Sequence, residues 1–103
     1  MPSRMISRQW RGLAKAERAK AYQEHLRKRT FPELKQIPGF IDASILTRAL
    51  DRGVEFLVVT RWKSMDAIAK FAGADVEAAV VPPEVVDMMI EYDRRVKHYE
   101  VME

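Results

Sequence analysis

The segment Val54–Trp62, which reads Val-Glu-Phe-Leu-Val-Val-Thr-Arg-Trp, is the feature that most restricts the fold of this chain. β-Branched and aromatic residues dominate it, and these residue types favour extended strands. Alternate residues of a strand point to opposite faces, yet apolar side chains occupy both faces here: Phe56 and Val58 on one, Leu57 and Val59 on the other. A strand that is apolar on both faces is covered on both, so the sequence predicts a sheet with a layer on each side.

Three other segments alternate like strands, and two are rich in helix-forming residues. The further strands are predicted at Met5–Arg11, Phe40–Ala49 and Asp93–Met102. The long helices are predicted at Ala14–Thr30 and from the N-cap Ser64 to Gly73. The remaining expectations are short helical turns at Phe31–Leu34, Asp75–Val80 and Pro83–Met89, and an end to the first strand at Gly12.

The loop Asp51-Arg52-Gly53 joins the second and third strands, and a short loop closed by glycine is typical of an antiparallel hairpin. The resulting order, β-α-β-β-α-β, is the split βαβ pattern of ferredoxin-like folds, an α+β class. It predicts a four-stranded antiparallel sheet with both long helices on one face. The other face would then expose Leu57 and Val59, so we expect a second copy of the sheet to cover it in a homodimer.

The composition is that of a globular domain and excludes several kinds of chemistry. With 103 residues, 48% of them hydrophobic, the chain is expected to form one domain over residues 1–103. There is no cysteine, which excludes disulfides, thiolate catalysis and cysteine-ligated zinc. No apolar run approaches the roughly 20 residues of a membrane span, and the N-terminus lacks the apolar stretch of a signal peptide. We therefore expect a cytoplasmic protein with no membrane partner.

Positive charge is concentrated in the first third of the chain. Residues 1–36 hold ten Lys and Arg against three Glu, whereas residues 37–103 hold eight Lys and Arg against twelve acidic residues. A basic segment can bind a phosphate-rich partner. These residues fall largely on one predicted helix, however, and no glycine-rich loop or aromatic RNA-binding signature accompanies them. We expect a solvated helix face and no nucleic-acid partner.

Short motifs spread from Met5 to Val101 resemble those of the antibiotic biosynthesis monooxygenase (ABM) domain family. They are Trp10-Arg11-Gly12, Tyr22, Ile37-Pro38-Gly39-Phe40, Val54–Val58, Trp62-Lys63-Ser64, Phe71-Ala72-Gly73, Ala79–Glu84 and Val96–Val101. The resemblance implies a dimeric α/β barrel, in which two ferredoxin-like sheets face each other. It also implies oxygenation of polycyclic phenols without metal or flavin, or haem degradation in a separate branch of the family.

The haem-degrading branch is not supported by the residues at its ligand position. Its proximal ligand is a histidine after the strand that ends in Trp-Lys-Ser, and residues 67–86 contain no histidine. The resemblance places Val80 or Val81 at the ligand position and Phe71 at that of its partner tryptophan. An isopropyl group cannot replace an imidazole as an iron ligand. We expect no haem and no other cofactor.

Cofactor-free oxygenation requires a base, hydrogen-bond donors for the resulting anion, and apolar walls around the substrate. His98 is the first candidate for the base, because histidine titrates near neutral pH. Tyr22 is the second candidate, since it projects inward from the predicted helix and is placed to orient a phenol or carbonyl. His25, one turn later, is a candidate substrate contact. The structural alternatives are an interface histidine for His98, a core tyrosine for Tyr22 and a half-exposed helix residue for His25.

Aromatic and charged strand residues complete the predicted site. Trp10 and Trp62 come from strands that are adjacent in the split βαβ order, so they are predicted to form a wall for a planar ligand, with core packing as the alternative. Arg8 shares a strand face with Trp10, and a charge on a covered face requires a partner or an anionic ligand. Arg61 is a weaker candidate of the same kind. Phe71 is predicted to contact substrate through the family resemblance.

Two functions remain open from the sequence. The first is a small-molecule-binding protein of the ABM type that acts as a cofactor-free monooxygenase on aromatic substrates. The second is a non-catalytic ligand-binding or interaction domain of the same fold. No Ser-His-Asp constellation, paired-carboxylate motif or P-loop is present to favour hydrolysis or phosphoryl transfer. A titratable side chain in a closed apolar pocket would favour the first function.

Overall fold

Residues 4–103 are described by the computed structural model, in which one antiparallel sheet carries the helices on a single face. The strands are β1 (Ile6–Ala14), β2 (Phe40–Leu50), β3 (Gly53–Trp62), β4 (Met89–Tyr92) and β5 (Lys97–Glu100). Their order is β2-β3-β1, and both β4 and β5 pair with the free edge of β1. The predicted α+β, ferredoxin-like sheet is confirmed, with β4 and β5 together in the place of the fourth strand.

The fourth strand differs from its prediction, which was one strand over Asp93–Met102. Asp93 still bonds to β1 through the Arg11 carbonyl, but residues 94–96 bond to residues 77–79 instead, through a bridge between Ala78 and Arg95 and two backbone hydrogen bonds. The expected helical turn at Asp75–Val80 is reduced to a single turn, in which the Ala78 N–H bonds to the Asp75 carbonyl at 3.0 Å, because residues 77–79 pair with residues 94–96. Met89 is likewise strand, not helix.

The first helical segment is longer and less regular than predicted. It runs from Ala16 to Lys35 as a 3₁₀ turn (Ala16–Arg18), α1 (Ala19–His25), a π-helical turn (Leu26–Thr30) and α2 (Phe31–Lys35). Pro32 accounts for the wide turn, since proline has no N–H and its ring clashes with the carbonyl four residues back in a regular helix. In the π turn the Phe31 N–H bonds to the Leu26 carbonyl. The helix passes Pro32 without a break.

The predicted helix after β3 is confirmed. In α3 (Met65–Ala72), the Ser64 Oγ accepts a hydrogen bond from the Ala67 N–H at 3.1 Å. Gly73 ends the helix with φ of +87°, a conformation that favours glycine. The last helix, α4 (Pro83–Val86), is shorter than expected. Among residues 4–103, no helix is long and apolar enough to cross a membrane.

Gly12 lies inside β1, which continues to Ala14, so the expected break at this glycine is wrong. A side chain at position 12 would collide with the indole ring of Trp10 and contact the sulfur of Met89. The glycine is therefore required by close packing, not by a turn. The Trp10 ring lies over this gap in the strand surface.

Two clusters of buried side chains fill the space between helices and sheet. One joins Tyr22 and Leu26 of the first helix to Phe56 and Val58 of β3, and the other joins Leu34 to Trp62 and Ile68. Tyr22 and Leu26 are each less than 5% exposed, so Tyr22 projects inward from the first helix as predicted.

The sheet face opposite the helices combines apolar residues with ion pairs. Its exposed apolar side chains include Leu46 and Leu50 of β2 and Tyr99 of β5. Glu55 of β3 binds Arg48 and Arg11 on the two neighbouring strands, at 2.5 and 2.6 Å. Hydrogen bonds from Arg48 and then Arg11 lower the pKa of the Glu55 carboxyl to about 2.

This ion-pair cluster predicts a dependence of stability on acid pH. The pKa of Glu55 is lower in the folded chain than the ordinary value of 4.5, so its contribution is complete above about pH 5 and disappears as pH falls towards 2. We expect Glu55→Gln to be less stable than the wild type near pH 7 and equally stable near pH 2. Urea unfolding of both proteins across this range measures the difference. A constant difference at all pH values would contradict the assignment.

Candidate functional site

A cavity opens between the first helix and the sheet, with the segment that precedes α4 closing one side. Its empty volume is about 580 Å³, including the mouth that opens to solvent. Most of its lining is apolar, with contributions from Leu26, Phe31, Val58, Phe71, Val81 and Val85. The cavity is suited to an apolar or aromatic small molecule.

Trp10 and Tyr22 form an aromatic corner of this cavity. Their ring centroids lie 6.0 Å apart at an angle of 58°, and Tyr22 meets Phe56 edge to face at 4.9 Å. The Trp10 Nε1 donates a hydrogen bond of 2.8 Å to the Asp93 carbonyl, which fixes the indole plane. The corner has the tilted and edge-to-face geometry that aromatic rings prefer.

Two polar side chains on α1 face the cavity together. The His25 ring stacks against Tyr22 with centroids 6.4 Å apart and planes 16° apart. Burial raises the pKa of the Tyr22 phenol, so its hydroxyl stays protonated. No protein group among residues 4–103 forms a hydrogen bond with either side chain. The hydroxyl and the imidazole are thus available to a ligand.

Arg8 of β1 lines the same cavity and is only 5% exposed. Its Nη1 donates to the Val76 carbonyl at 2.5 Å, and its Nη2 donates to the Ala78 carbonyl at 3.0 Å. The guanidinium also lies 5.7 Å from the centre of the Phe71 ring. Burial lowers the pKa of Arg8 to about 10, so it remains a cation at neutral pH.

His98 of β5 does not line the cavity, because Arg8 lies between them. The His98 Nε2 lies 3.0 Å from Arg8 Nη1, and arginine has no acceptor, so this nitrogen accepts the hydrogen bond. Burial and the nearby Arg8 charge lower the pKa of His98 and favour its neutral form. The structure therefore brings Arg8, Trp10, Tyr22, His25 and Phe71 to the cavity, and it places His98 behind Arg8.

Trp62 and Arg61 lie apart from the cavity. Trp62 is fully buried, its Nε1 bonds to Thr60 Oγ1 at 2.8 Å, and it stacks behind Phe71 with centroids 6.2 Å apart. The predicted wall of two tryptophans is therefore not formed, because Trp62 contacts Phe71 instead of the cavity. Arg61 lies on the opposite sheet face and binds Asp42 with two hydrogen bonds.

Sequence reasoning missed two threonines of the cavity, Thr30 and Thr60. Thr60 pairs with Arg8 across β1 and β3, so the antiparallel register was a signal that could have identified it. Thr30 lies at four-residue spacing from Leu26 and Tyr22, so the helical spacing that predicts the inward face of this helix was its signal. Val80 and Val81, at the ligand position of the haem-degrading branch, contribute isopropyl groups to the lining.

Comparison with solved structures identifies relatives of the same fold. A candidate antibiotic biosynthesis monooxygenase from Bacillus cereus is 23% identical, with a TM-score of 0.66 over 97% of this chain and 95% of the other. One from Caulobacter crescentus is 15% identical, with a TM-score of 0.72 over 99% and 93%. SnoaB, a cofactor-independent oxygenase from Streptomyces nogalater, is 15% identical, with a TM-score of 0.63 over 98% and 96%.

The sequence itself gives the assignment to a family. No curated protein matches the chain significantly. The sequence profile of the family described as antibiotic biosynthesis monooxygenase matches residues 5–81, which is most of the chain and includes β1 to α3 and much of the cavity lining. The chain therefore belongs to the antibiotic biosynthesis monooxygenase (ABM) family.

Proposed function

We propose that this protein binds a planar aromatic molecule in the cavity and oxidises it with molecular oxygen, without metal or flavin. The observation that carries the proposal is the meeting of an imidazole and a phenol, His25 and Tyr22, at the wall of an apolar cavity. Membership of the ABM family and the shared fold with SnoaB, described as a cofactor-independent oxygenase, are consistent with it.

The proposed reaction begins with removal of a proton from an electron-rich substrate such as an anthrone. His25 is the proposed base, because its imidazole faces the cavity and no protein group among residues 4–103 occupies it. The resulting carbanion, whose charge is shared with the phenolic oxygen, transfers electrons to oxygen. The carbon gains one oxygen atom and loses two hydrogens, and the second oxygen atom leaves as water.

Tyr22 is proposed to stabilise the anion that forms. Its hydroxyl is held as a donor by the raised pKa of the phenol, and a donor aimed at developing charge in a dry site lowers the barrier. Trp10 and Phe71 would hold the substrate plane. The predicted role of His98 as the base stays open, and it requires Arg8 to move before the imidazole can reach a ligand.

Oxygen uptake tests the proposal directly. The metal-free, flavin-free protein is mixed with anthrone derivatives in an oxygen electrode, and formation of the anthraquinone is followed by absorbance. We expect uptake of one oxygen molecule for each quinone formed, at a rate proportional to protein concentration. If the derivatives bind but no uptake exceeds the buffer rate, the protein is a ligand-binding module, which is the second function left open by the sequence.

We further propose that the open sheet face forms a homodimer. Leu46 is 49% exposed, Leu50 is 39% exposed and Tyr99 is 50% exposed on this face, and Leu57 and Val59 lie among them. Large contiguous apolar patches are unusual on monomers and commonly mark protein interfaces. A second copy would cover these side chains and complete the barrel implied by the family resemblance.

A charge in this face is expected to prevent dimer formation. Leu46 pairs with Leu57 across β2 and β3, so Leu46→Asp would bury an unpaired carboxylate at the proposed interface. We expect the wild type to be a dimer at micromolar concentration and Leu46→Asp to be a folded monomer by analytical ultracentrifugation. The matched control is Leu50→Ala, which removes apolar area without adding a charge. A monomeric wild type would contradict the proposal.

A further inference from the structure

The cation in the cavity wall is compensated only by neutral groups. The guanidinium of Arg8 has two backbone carbonyls and one imidazole as hydrogen-bond partners. None of the ion pairs among residues 4–103 includes it. A charge that is 95% buried without a counter-ion is costly, so its retention points to an anion that binds there.

The hydrogen bonds of Arg8 leave one edge of the guanidinium open. Arginine carries five N–H donors. Nη1 uses both of its hydrogens, on the Val76 carbonyl and His98 Nε2, and Nη2 uses one on the Ala78 carbonyl. The Nε–H and the second Nη2–H remain. These two donors lie side by side and form a fork that fits a carboxylate.

Another arginine of this chain binds a carboxylate through the same pair of nitrogens. Arg61 binds the two carboxylate oxygens of Asp42 through the same two nitrogens, Nε at 2.6 Å and Nη2 at 3.0 Å. Arg8 has no such carboxylate from residues 4–103. Its Nε has no hydrogen-bond partner among these residues and is not fully enclosed, because every fully enclosed side-chain nitrogen or oxygen in this part of the chain has a partner. The Nε donor is therefore accessible, and Arg8 is one of the residues that line the cavity.

Neighbouring groups fix the orientation of the fork. The Val76 and Ala78 carbonyls hold the far edge of the guanidinium, His98 accepts from its side, and the Phe71 ring lies 5.7 Å from its carbon. Three elements thus hold one side chain in a single orientation, which reduces the entropy that a ligand loses on binding. His98 acts through Arg8 in this arrangement and is a positioning residue.

We propose that the cavity recognises aromatic carboxylates, with the acid group on the Nε and Nη2 edge of Arg8 and the ring between Trp10 and Phe71. The inference rests on the proposed aromatic site and names its substrate class. A planar monoanion with two oxygens matches the fork and neutralises the single charge, whereas a phenolate presents one oxygen. The apolar lining around Arg8 suits a ring attached directly to the acid group.

Isothermal titration with three probes of one ring size tests the inference in the wild type. The probes are 2-naphthoate, 2-naphthamide and 2-naphthol. Hydrogen bonds to charged groups are worth about 10- to 100-fold in affinity. We expect 2-naphthoate to bind tighter than the amide by about that factor, with 2-naphthol nearer the amide. Equal binding of acid and amide overturns the inference and leaves the aromatic site intact, whereas binding of none of the probes overturns both.

Variants of Arg8 test whether this residue causes the preference for 2-naphthoate over 2-naphthamide. Arg8→Met keeps the length and apolar character of the side chain, and it should abolish the preference for the acid while the amide binds as before. Arg8→Lys keeps the charge but loses the fork, so it should retain only part of the preference. The control Arg61→Met removes one positive charge from the opposite face and should change nothing. An undiminished preference in folded Arg8→Met or Arg8→Lys would overturn the assignment to Arg8.

Discussion

Replacement of His25 by alanine is expected to lower the turnover number for anthrone oxidation by about 100-fold or more, the usual contribution of a general base. The imidazole faces the cavity, whereas the second histidine of the chain lies behind Arg8. Binding should change much less than turnover, because the aromatic corner formed by Trp10 and Tyr22 does not include His25. Steady-state oxygen uptake gives the turnover number, and titration with a substrate analogue gives the affinity.

The pH profile separates a base from a structural contact. A general base acts only in its unprotonated form, so the wild-type rate should fall as the solution is made more acidic. In His25→Ala this limb of the profile should disappear, and added imidazole should restore part of the rate in the space left by the side chain. Loss of activity with an unchanged pH profile would indicate a packing role instead.

Two control variants complete this experiment. Gln23 is an exposed neighbour on α1, and Gln23→Ala reports what a neutral change in this helix does to the rate. His98→Ala tests the alternative base. If folded His98→Ala loses about 100-fold in turnover while His25→Ala is fully active, the base is His98 and the assignment to His25 is wrong. Thermal midpoints of all variants separate loss of activity from loss of fold.

The sheet could be predicted from sequence because its signals are local. β3 and the hairpin before it follow from alternating β-branched residues and a short glycine loop, and the cap at Ser64 follows from a hydrogen bond within one helical turn. The strand pairing near the end of the chain is determined by residues that are distant in sequence. Residues 94–96 leave β1 because residues 77–79 offer an alternative edge, and nothing in either segment alone indicates that pairing.

The site shows the same division between local and tertiary information. Two features follow from periodicity and were predicted: the face of β1 that carries Arg8 and Trp10, and the inward projection of Tyr22 from the first helix. Which histidine reaches the cavity could not be predicted in this way. His98 lies on the same sheet face as Arg8, its partner across β1 and β5, yet the Arg8 side chain separates it from the cavity, and only the paths of both strands determine that contact.

Trp62 and Trp10 are expected to respond to mutation in opposite ways. Trp62 is fully buried between Phe40 and Phe71 with its indole N–H satisfied by Thr60. Trp62→Ala should therefore cost about 3–5 kcal/mol in the free energy of unfolding. That is a large part of the roughly 5–15 kcal/mol that stabilises a typical domain, so the variant should lie close to unfolding at 37 °C.

The conservative substitution of each tryptophan separates core packing from ligand contact. Trp62→Phe should fold, lose some stability, and bind naphthyl probes with wild-type affinity, because its ring does not line the cavity. Trp10→Phe loses the hydrogen bond to the Asp93 carbonyl that fixes the indole plane, together with part of the aromatic surface. Its affinity for the probes should fall by about three- to tenfold, the range expected for one aromatic contact. Urea unfolding measures the stability of the two variants, and isothermal titration measures their affinity for the probes. A larger loss of affinity in Trp62→Phe than in Trp10→Phe would contradict this assignment and support the predicted wall of two tryptophans.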